Sequence, residues 1–107
     1  MKYDLIILGG GAAAFAAAIK AEELGARAAM VNYNLPLGGT CVNVGCVPSK
    51  NLLHAGEVYY YGARGVKGIE IKRHLSFKEV INQKNEVINR LRQKKYISVA
   101  KSLKGVE

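Results

Sequence analysis

Three consecutive glycines, Gly9-Gly10-Gly11, stand between an apolar run and an alanine-rich stretch, and they constrain this chain more than any other feature. Tyr3 to Leu8 is apolar except for Asp4 and reads as a short buried strand. Ala12 to Leu24 is rich in strong helix formers, with Gly25 placed to end the helix in a left-handed turn. Ala28 to Tyr33 then resumes as a second apolar strand. Strand, helix and strand within residues 3–33 make a right-handed βαβ unit with its two strands parallel.

Gly9-Gly10-Gly11-Ala12-Ala13-Ala14 fits G-x-G-x-x-G/A in the context that gives the pattern meaning, directly after a strand and opening a helix. Gly9 allows the tight turn, Gly11 lets the backbone approach a pyrophosphate, and Ala14 is small enough for close packing of helix on sheet. Unpaired N–H groups at the helix N-terminus favour the negative charge of phosphates. The second strand ends on Asn32 where an acid would hold ribose hydroxyls, and a neutral acceptor is weaker by roughly 1 kcal/mol. No Arg or Lys occurs in residues 33–39 to receive a 2′-phosphate, which disfavours NADP at this site.

Residues 34–61 hold a loop with Pro36, Gly38 and Gly39, then two cysteines and a helix expected beyond Pro48. Residues 62–75, with three glycines and no period, read as a connection. Residues 76–104 read as one basic amphipathic helix: Ser76 and Glu79 form a capping box, and Val80, Ile81, Val87, Ile88, Leu91, Val99 and Leu103 form its apolar stripe, with Gly105 ending it. The expected architecture is therefore α/β, a Rossmann-like βαβ unit followed by two longer helices, all within 1–107 as one partial domain. A chain of 107 residues builds a thin core, so association with itself or with further domains is expected to support it.

The net charge of +8 is uneven: residues 1–61 carry four Lys/Arg and four Asp/Glu, residues 62–107 twelve against four. A solvated helix face accounts for this, and no nucleic-acid motif accompanies it; a basic interaction module binding an anionic partner is the rival reading. Leu5 to Ile19 imitates a secretion signal, but Asp4 sits where a signal is positive, the glycines interrupt it, and it falls short of the ~20 residues that cross a bilayer. With only two cysteines and no disulfide framework, a cytoplasmic chain with no membrane partner is expected.

Cys41 and Cys46 lie five apart, which in a regular helix separates them by about 140° and prevents a bridge, so the chain must bend between them, and Gly45 permits that. A thiol near a helix N-terminus, with Lys50 nearby, can have a lowered pKa. By composition alone such a pair in an apolar neighbourhood is more often inert packing than a reactive site. His54 and His74 have no partners at ligand spacing and offer no closed metal site.

The thirteen residues from Gly38 to Lys50, Gly-Gly-Thr-Cys-Val-Asn-Val-Gly-Cys-Val-Pro-Ser-Lys, preceded by the glycine fingerprint, resemble the flavin disulfide oxidoreductases, which include dihydrolipoamide dehydrogenase, glutathione reductase and mercuric reductase. Phe15 to Lys20 and Leu91 to Tyr96 resemble mercuric reductase most closely. The resemblance implies FAD with its pyrophosphate on Gly9, Gly10, Gly11, Ala12, Ala13 and Ala14, its ribose at Asn32, and Gly38, Gly39 and Thr40 close to the phosphates. It implies Cys46 against the flavin, Cys41 as the outer thiol meeting substrate, and Lys50 near the flavin. It further implies that NAD(P)H reduces FAD, which reduces the Cys41–Cys46 disulfide, and that the dithiol serves a disulfide or mercuric ion, Cys41 and Cys46 binding Hg2+ as substrate only. The family's nicotinamide and dimerisation domains have no counterpart in these residues, so the chain alone is expected to be incomplete. The remaining rival is a non-catalytic dithiol or metal-ion binder that lost the flavin.

Overall fold

The structure, a computed structural model, describes residues 2–107. Strand β1 (Leu5–Leu8), helix α1 (Ala12–Glu23) and strand β2 (Ala28–Val31) form the βαβ unit. The strands are parallel, with Leu5 opposite Ala28 and Leu8 opposite Val31. Helix α1 ends as its sequence dictates: Gly25 takes φ +69°, its N–H donates to Glu22 O at 3.0 Å, and Ala26 N–H donates to Ala21 O at 2.9 Å. Those two bonds are the Schellman closure, which satisfies carbonyls the helix end would leave orphaned. Ala18 and Ala21 are buried against Ile7 and Ala28, with Ala14 and Ala17 beside them. The alanine face brings helix and sheet backbones close together, which larger side chains would prevent.

Beyond β2 the chain forms α2 (Gly39–Asn43), α3 (Cys46–Arg64), α4 (Phe77–Arg92), a π-helical turn (Gln93–Ile97) and α5 (Ser98–Ser102). Helix α3 begins two residues before Pro48 rather than after it, because a first-turn proline lacks only an N–H that has no partner there anyway. Ser76 caps α4, its Oγ accepting Glu79 N–H at 3.4 Å. The helix from Ser76 is continuous to Ser102 but changes register at Gln93–Ile97, where Ser98 Oγ donates to Gln93 O at 2.8 Å. The wider turn brings Tyr96 inward, edge-on to Phe15 with ring centroids 5.0 Å apart. Phe15, Val42, Ile88 and Tyr96 form the second core, which ties α1, α2, α4 and the π turn together. Of the apolar stripe Ile88 is buried; Val80, Ile81, Val87, Leu91, Val99 and Leu103 are half-buried, and the lysines at 78, 94, 95, 101 and 104 are exposed.

The helix does not end at Gly105. It ends at Ser102, Leu103 is extended, and residues 105–107 run parallel to the free edge of β2. Ala28 N–H donates to Gly105 O at 2.9 Å, Met30 N–H to Glu107 O at 2.7 Å, and Glu107 N–H to Ala28 O at 3.0 Å. The Glu22 carboxylate, on the last turn of α1, accepts Lys104 N–H at 3.0 Å and Gly105 N–H at 2.6 Å and so steers the chain onto the sheet.

Strand β1 forms where the apolar run predicts it, but only Ile7 is buried; Ile6 is 63% and Leu8 82% exposed, because α1 covers one face of the sheet and the other is open. The radius of gyration is 19.7 Å with extents of 69 × 23 × 18 Å, against about 13 Å for a compact chain of this length. The excess comes from the antiparallel pair α3 and α4, whose far halves and the connection between them extend away from the sheet.

Candidate functional site

Gly9 leaves β1 with φ +116°, its N–H donating to Val31 O at 2.8 Å, and Gly11 caps α1 with extended backbone. The first intrahelical bond is Phe15 N–H to Gly11 O at 3.0 Å. The N–H groups of Ala12, Ala13 and Ala14 therefore point out of the helix end, where Ala12 and Ala13 are exposed. The second glycine loop lies directly against this turn. Gly38 N–H donates to Gly10 O at 2.8 Å, and a Cβ on Gly39, which has φ +63°, would lie 2.7 Å from Gly11 Cα. A side chain at position 39 has no room at that crossing, so the fingerprint turn and the start of α2 are built as one surface.

Asn32 follows β2 and faces the same turn. Its Nδ2 donates to Leu35 O at 2.7 Å, which leaves Oδ1 as the acceptor, and a Cβ on Gly10 would lie 2.7 Å from that oxygen.

Helix α2 breaks at Val44 and Gly45, and α3 starts at once in a new direction. A Cβ on Gly45 would lie 2.9 Å from Thr40 O and 3.3 Å from Cys41 Cα, so the missing side chain lets the second cysteine fold back over the first. Cys41 and Cys46 are both exposed and both free thiols. The Cys41 thiol is pushed up from its ordinary pKa, first by its hydrogen bond with the Cys46 side chain, then by shielding from water and by negative charge on Cys46. The N–H groups of Cys46 and Val47, at the start of α3, aim at the Cys41 sulfur and pull the other way, by less. The lowering expected of a thiol near a helix N-terminus is thus outweighed at Cys41 by its neighbour. Lys50 is exposed on α3, one turn beyond Cys46.

Two residues for which the sequence predicts no role of their own complete the site, although both lie in segments that carry the resemblance, Asn43 within Gly38 to Lys50 and Arg92 within Leu91 to Tyr96. Asn43, the last residue of α2, donates from Nδ2 to Pro36 O and Gly39 O, both at 2.8 Å. Its Oδ1 accepts Arg92 Nε–H at 3.0 Å and Arg92 Nη2–H at 2.6 Å. Among the described residues no group of three or more His, Cys, Asp or Glu is placed to hold a metal ion. His54 and His74, without partners in sequence, line one groove of about 360 Å3 between α3 and α4.

A turn that joins a glycine fingerprint to a pair of facing cysteines matches one family throughout: the model for pyridine nucleotide-disulphide oxidoreductases aligns with residues 3–106. The chain belongs to this family. It is 43% identical over 99 residues to a mercuric reductase of Lysinibacillus sphaericus, covering 91% of this chain and 18% of that protein. It is 46% identical over 93 residues to dihydrolipoyl dehydrogenase 3 of Pseudomonas putida, covering 83% and 20%. Among solved structures, the HOCl-induced flavoprotein disulfide reductase RclA of Escherichia coli superposes with a TM-score of 0.77 at 29% identity, over 98% of this chain and 21% of that one. The chain thus spans about a fifth of the length of these oxidoreductases. Its two parallel strands and following helices match the N-terminal FAD-binding, Rossmann-like part of the family fold, whose cofactor is FAD. The residues present fit the pyrophosphate of that cofactor: the N–H groups of Ala12, Ala13 and Ala14 at the exposed start of α1 need acceptors, and the glycine at position 39 lets the second loop lie directly against the same turn. No helix among the described residues is long and apolar enough to cross a membrane.

Proposed function

We propose that residues 1–107 are the pyrophosphate-binding and dithiol-bearing part of a mercuric-reductase-like, FAD-dependent disulfide oxidoreductase, working in the cytoplasm with NAD(P)H as electron donor. Gly9 to Ala14 hold the pyrophosphate with Gly38, Gly39 and Thr40 beside it, and Asn32 accepts from the ribose. Cys46 lies on the flavin side, Cys41 on the substrate side, and Lys50 near the flavin. FAD held there would, once reduced by NAD(P)H, supply the two electrons that open the Cys41–Cys46 disulfide to a dithiol, with two protons from solvent. The two exposed thiols then present soft ligands suited to mercuric ion, or attack a substrate disulfide. The family's further domains, or further chains, would supply the nicotinamide site that turnover needs. Strand and helix surfaces left open, at Ile6 and Leu8 above all, are where such parts or a second copy would pack.

The observation that carries this reading is the backbone crossing of Gly38 and Gly39 on Gly10 and Gly11, which sets the cysteine turn at the nucleotide fingerprint. A flavin-free dithiol binder would have no use for that crossing. Treatment with oxidised glutathione should join Cys41 to Cys46, releasing two molecules of reduced glutathione. Mass spectrometry of the unreduced chain would show the loss of two hydrogens and no alkylation. Free alkylation of both thiols after oxidation would remove the dithiol from the proposal.

A further inference from the structure

We propose that Asn43 and Arg92 form a positioning pair that holds the two cysteines together and thereby sets how readily Cys41 and Cys46 pass between dithiol and disulfide. The inference rests on the dithiol reading above and assigns it a control that links Asn43, within the cysteine motif, to Arg92 on α4.

Helix α2 carries Cys41 but has only five residues, too few to hold a direction by its own hydrogen bonds. Val42 anchors one side of it in the core. The other anchor is Asn43, and every hydrogen-bonding position of its carboxamide is occupied: two N–H donors on Pro36 O and Gly39 O, and Oδ1 accepting twice from Arg92. An amide satisfied on both sides has one orientation. It ties the loop that crosses the fingerprint, the start of α2 and the end of α4 at a single point. Arg92 is the last residue of α4, immediately before the π turn, and one Nη1–H donates to Asn89 Oδ1 at 3.3 Å. Nε–H and Nη2–H of the planar guanidinium converge on the one oxygen Oδ1, which fixes the angle as well as the distance and which a lysine cannot reproduce. Cys41 lies two residues before this point and Cys46 three residues after it. Releasing the amide frees α2 to swing on Val42, and the two sulfurs then spend less time in bonding range.

Exchange with glutathione reads this directly. The two thiols and one oxidised glutathione give the protein disulfide and two reduced glutathiones, the protein S–S bond forming as the glutathione S–S bond breaks, with the thiol protons passing to the released glutathione. We expect Asn43→Ala and Arg92→Ala each to lower the equilibrium constant for Cys41–Cys46 about tenfold, a rise of about 30 mV in potential. The double variant should be no worse than either single one. Arg92→Lys should fall between Arg92→Ala and the parent chain. The measurement is made at 10 °C on protein shown by circular dichroism to be folded, with Ala21→Gly as the control, since it loosens the far end of α1 without touching the turn. A role in stability alone would lower the melting temperature of all these variants and leave the equilibrium unchanged. If Asn43→Ala does not fold, the two Arg92 variants, which leave α2 intact, decide the matter. Equilibrium constants within twofold of the parent, additive losses in the double variant, or an equal loss in Ala21→Gly would overturn the inference while leaving the dithiol reading in place. Absence of any Cys41–Cys46 disulfide in the parent chain would overturn both.

Discussion

Gly39→Ala is expected to cost about 3 kcal/mol, lowering the melting temperature by roughly 15 °C. Two effects combine. Alanine at φ +63° is strained by roughly 1–2 kcal/mol, and its Cβ would stand 2.7 Å from Gly11 Cα, a backbone atom that no rotamer change can move. The fingerprint turn and α2 would have to separate, and with them the surface on which the pyrophosphate is proposed to sit. Gly25→Ala is the matched comparison, since Gly25 has φ +69° but nothing within 4 Å of an added Cβ. It carries only the left-handed strain and should cost about 1 kcal/mol. Thermal unfolding of the two variants followed by circular dichroism measures the difference. Equal losses would mean that the crossing of the two glycine loops is not tight.

Phe15→Ala is expected to be more damaging still, at about 3–5 kcal/mol. Phe15 is 4% exposed and meets Tyr96 edge-on, in a core shared with Val42 and Ile88. Few other buried side chains hold the helices to the βαβ unit, and a chain of this size has a total stability on the order of 5–15 kcal/mol. Urea titration should therefore find Phe15→Ala largely unfolded at low denaturant, whereas Tyr96→Phe, which keeps the ring pair, should stay close to the parent. A loss under about 1 kcal/mol for Phe15→Ala would contradict the placement of the second core.

The contrast between these residues explains what could be read in advance. Gly9, Gly11, Gly25 and the alanines of α1 act through the backbone next to them, so strand, turn, helix and stop follow from local chemistry. The thirteen residues from Gly38 to Lys50 likewise identify the cysteine site on their own. What holds that site in shape is not local. Asn43 meets Arg92 across 49 positions, and nothing near either residue announces the pairing. The π turn at Gln93–Ile97 arises where Tyr96 is drawn onto Phe15, a tertiary demand that an apolar stripe with helical period does not reveal. Residues 105–107 join the sheet because the edge of β2 and the Glu22 carboxylate are there to receive them, while Gly105 considered alone reads as a helix stop. The open face of β1 shows the same limit from the other side. An apolar run marks a strand that prefers burial, but whether anything covers both faces depends on elements that lie elsewhere.

The central claim, that this fold places a dithiol at a flavin pyrophosphate cradle, is tested most directly by titrating the chain with FAD and following each backbone amide by nuclear magnetic resonance. Binding should be weak, with a dissociation constant on the order of 0.1 mM, because Asn32 supplies no charge and Cys41 and Cys46, where the flavin is proposed to lie, are exposed rather than enclosed by apolar side chains. The amides of Gly11, Ala12, Ala13, Ala14, Gly39 and Thr40 should shift together as FAD is added, with Cys46 following. No shift in those amides at millimolar FAD, or shifts confined to other parts of the chain, would contradict the account.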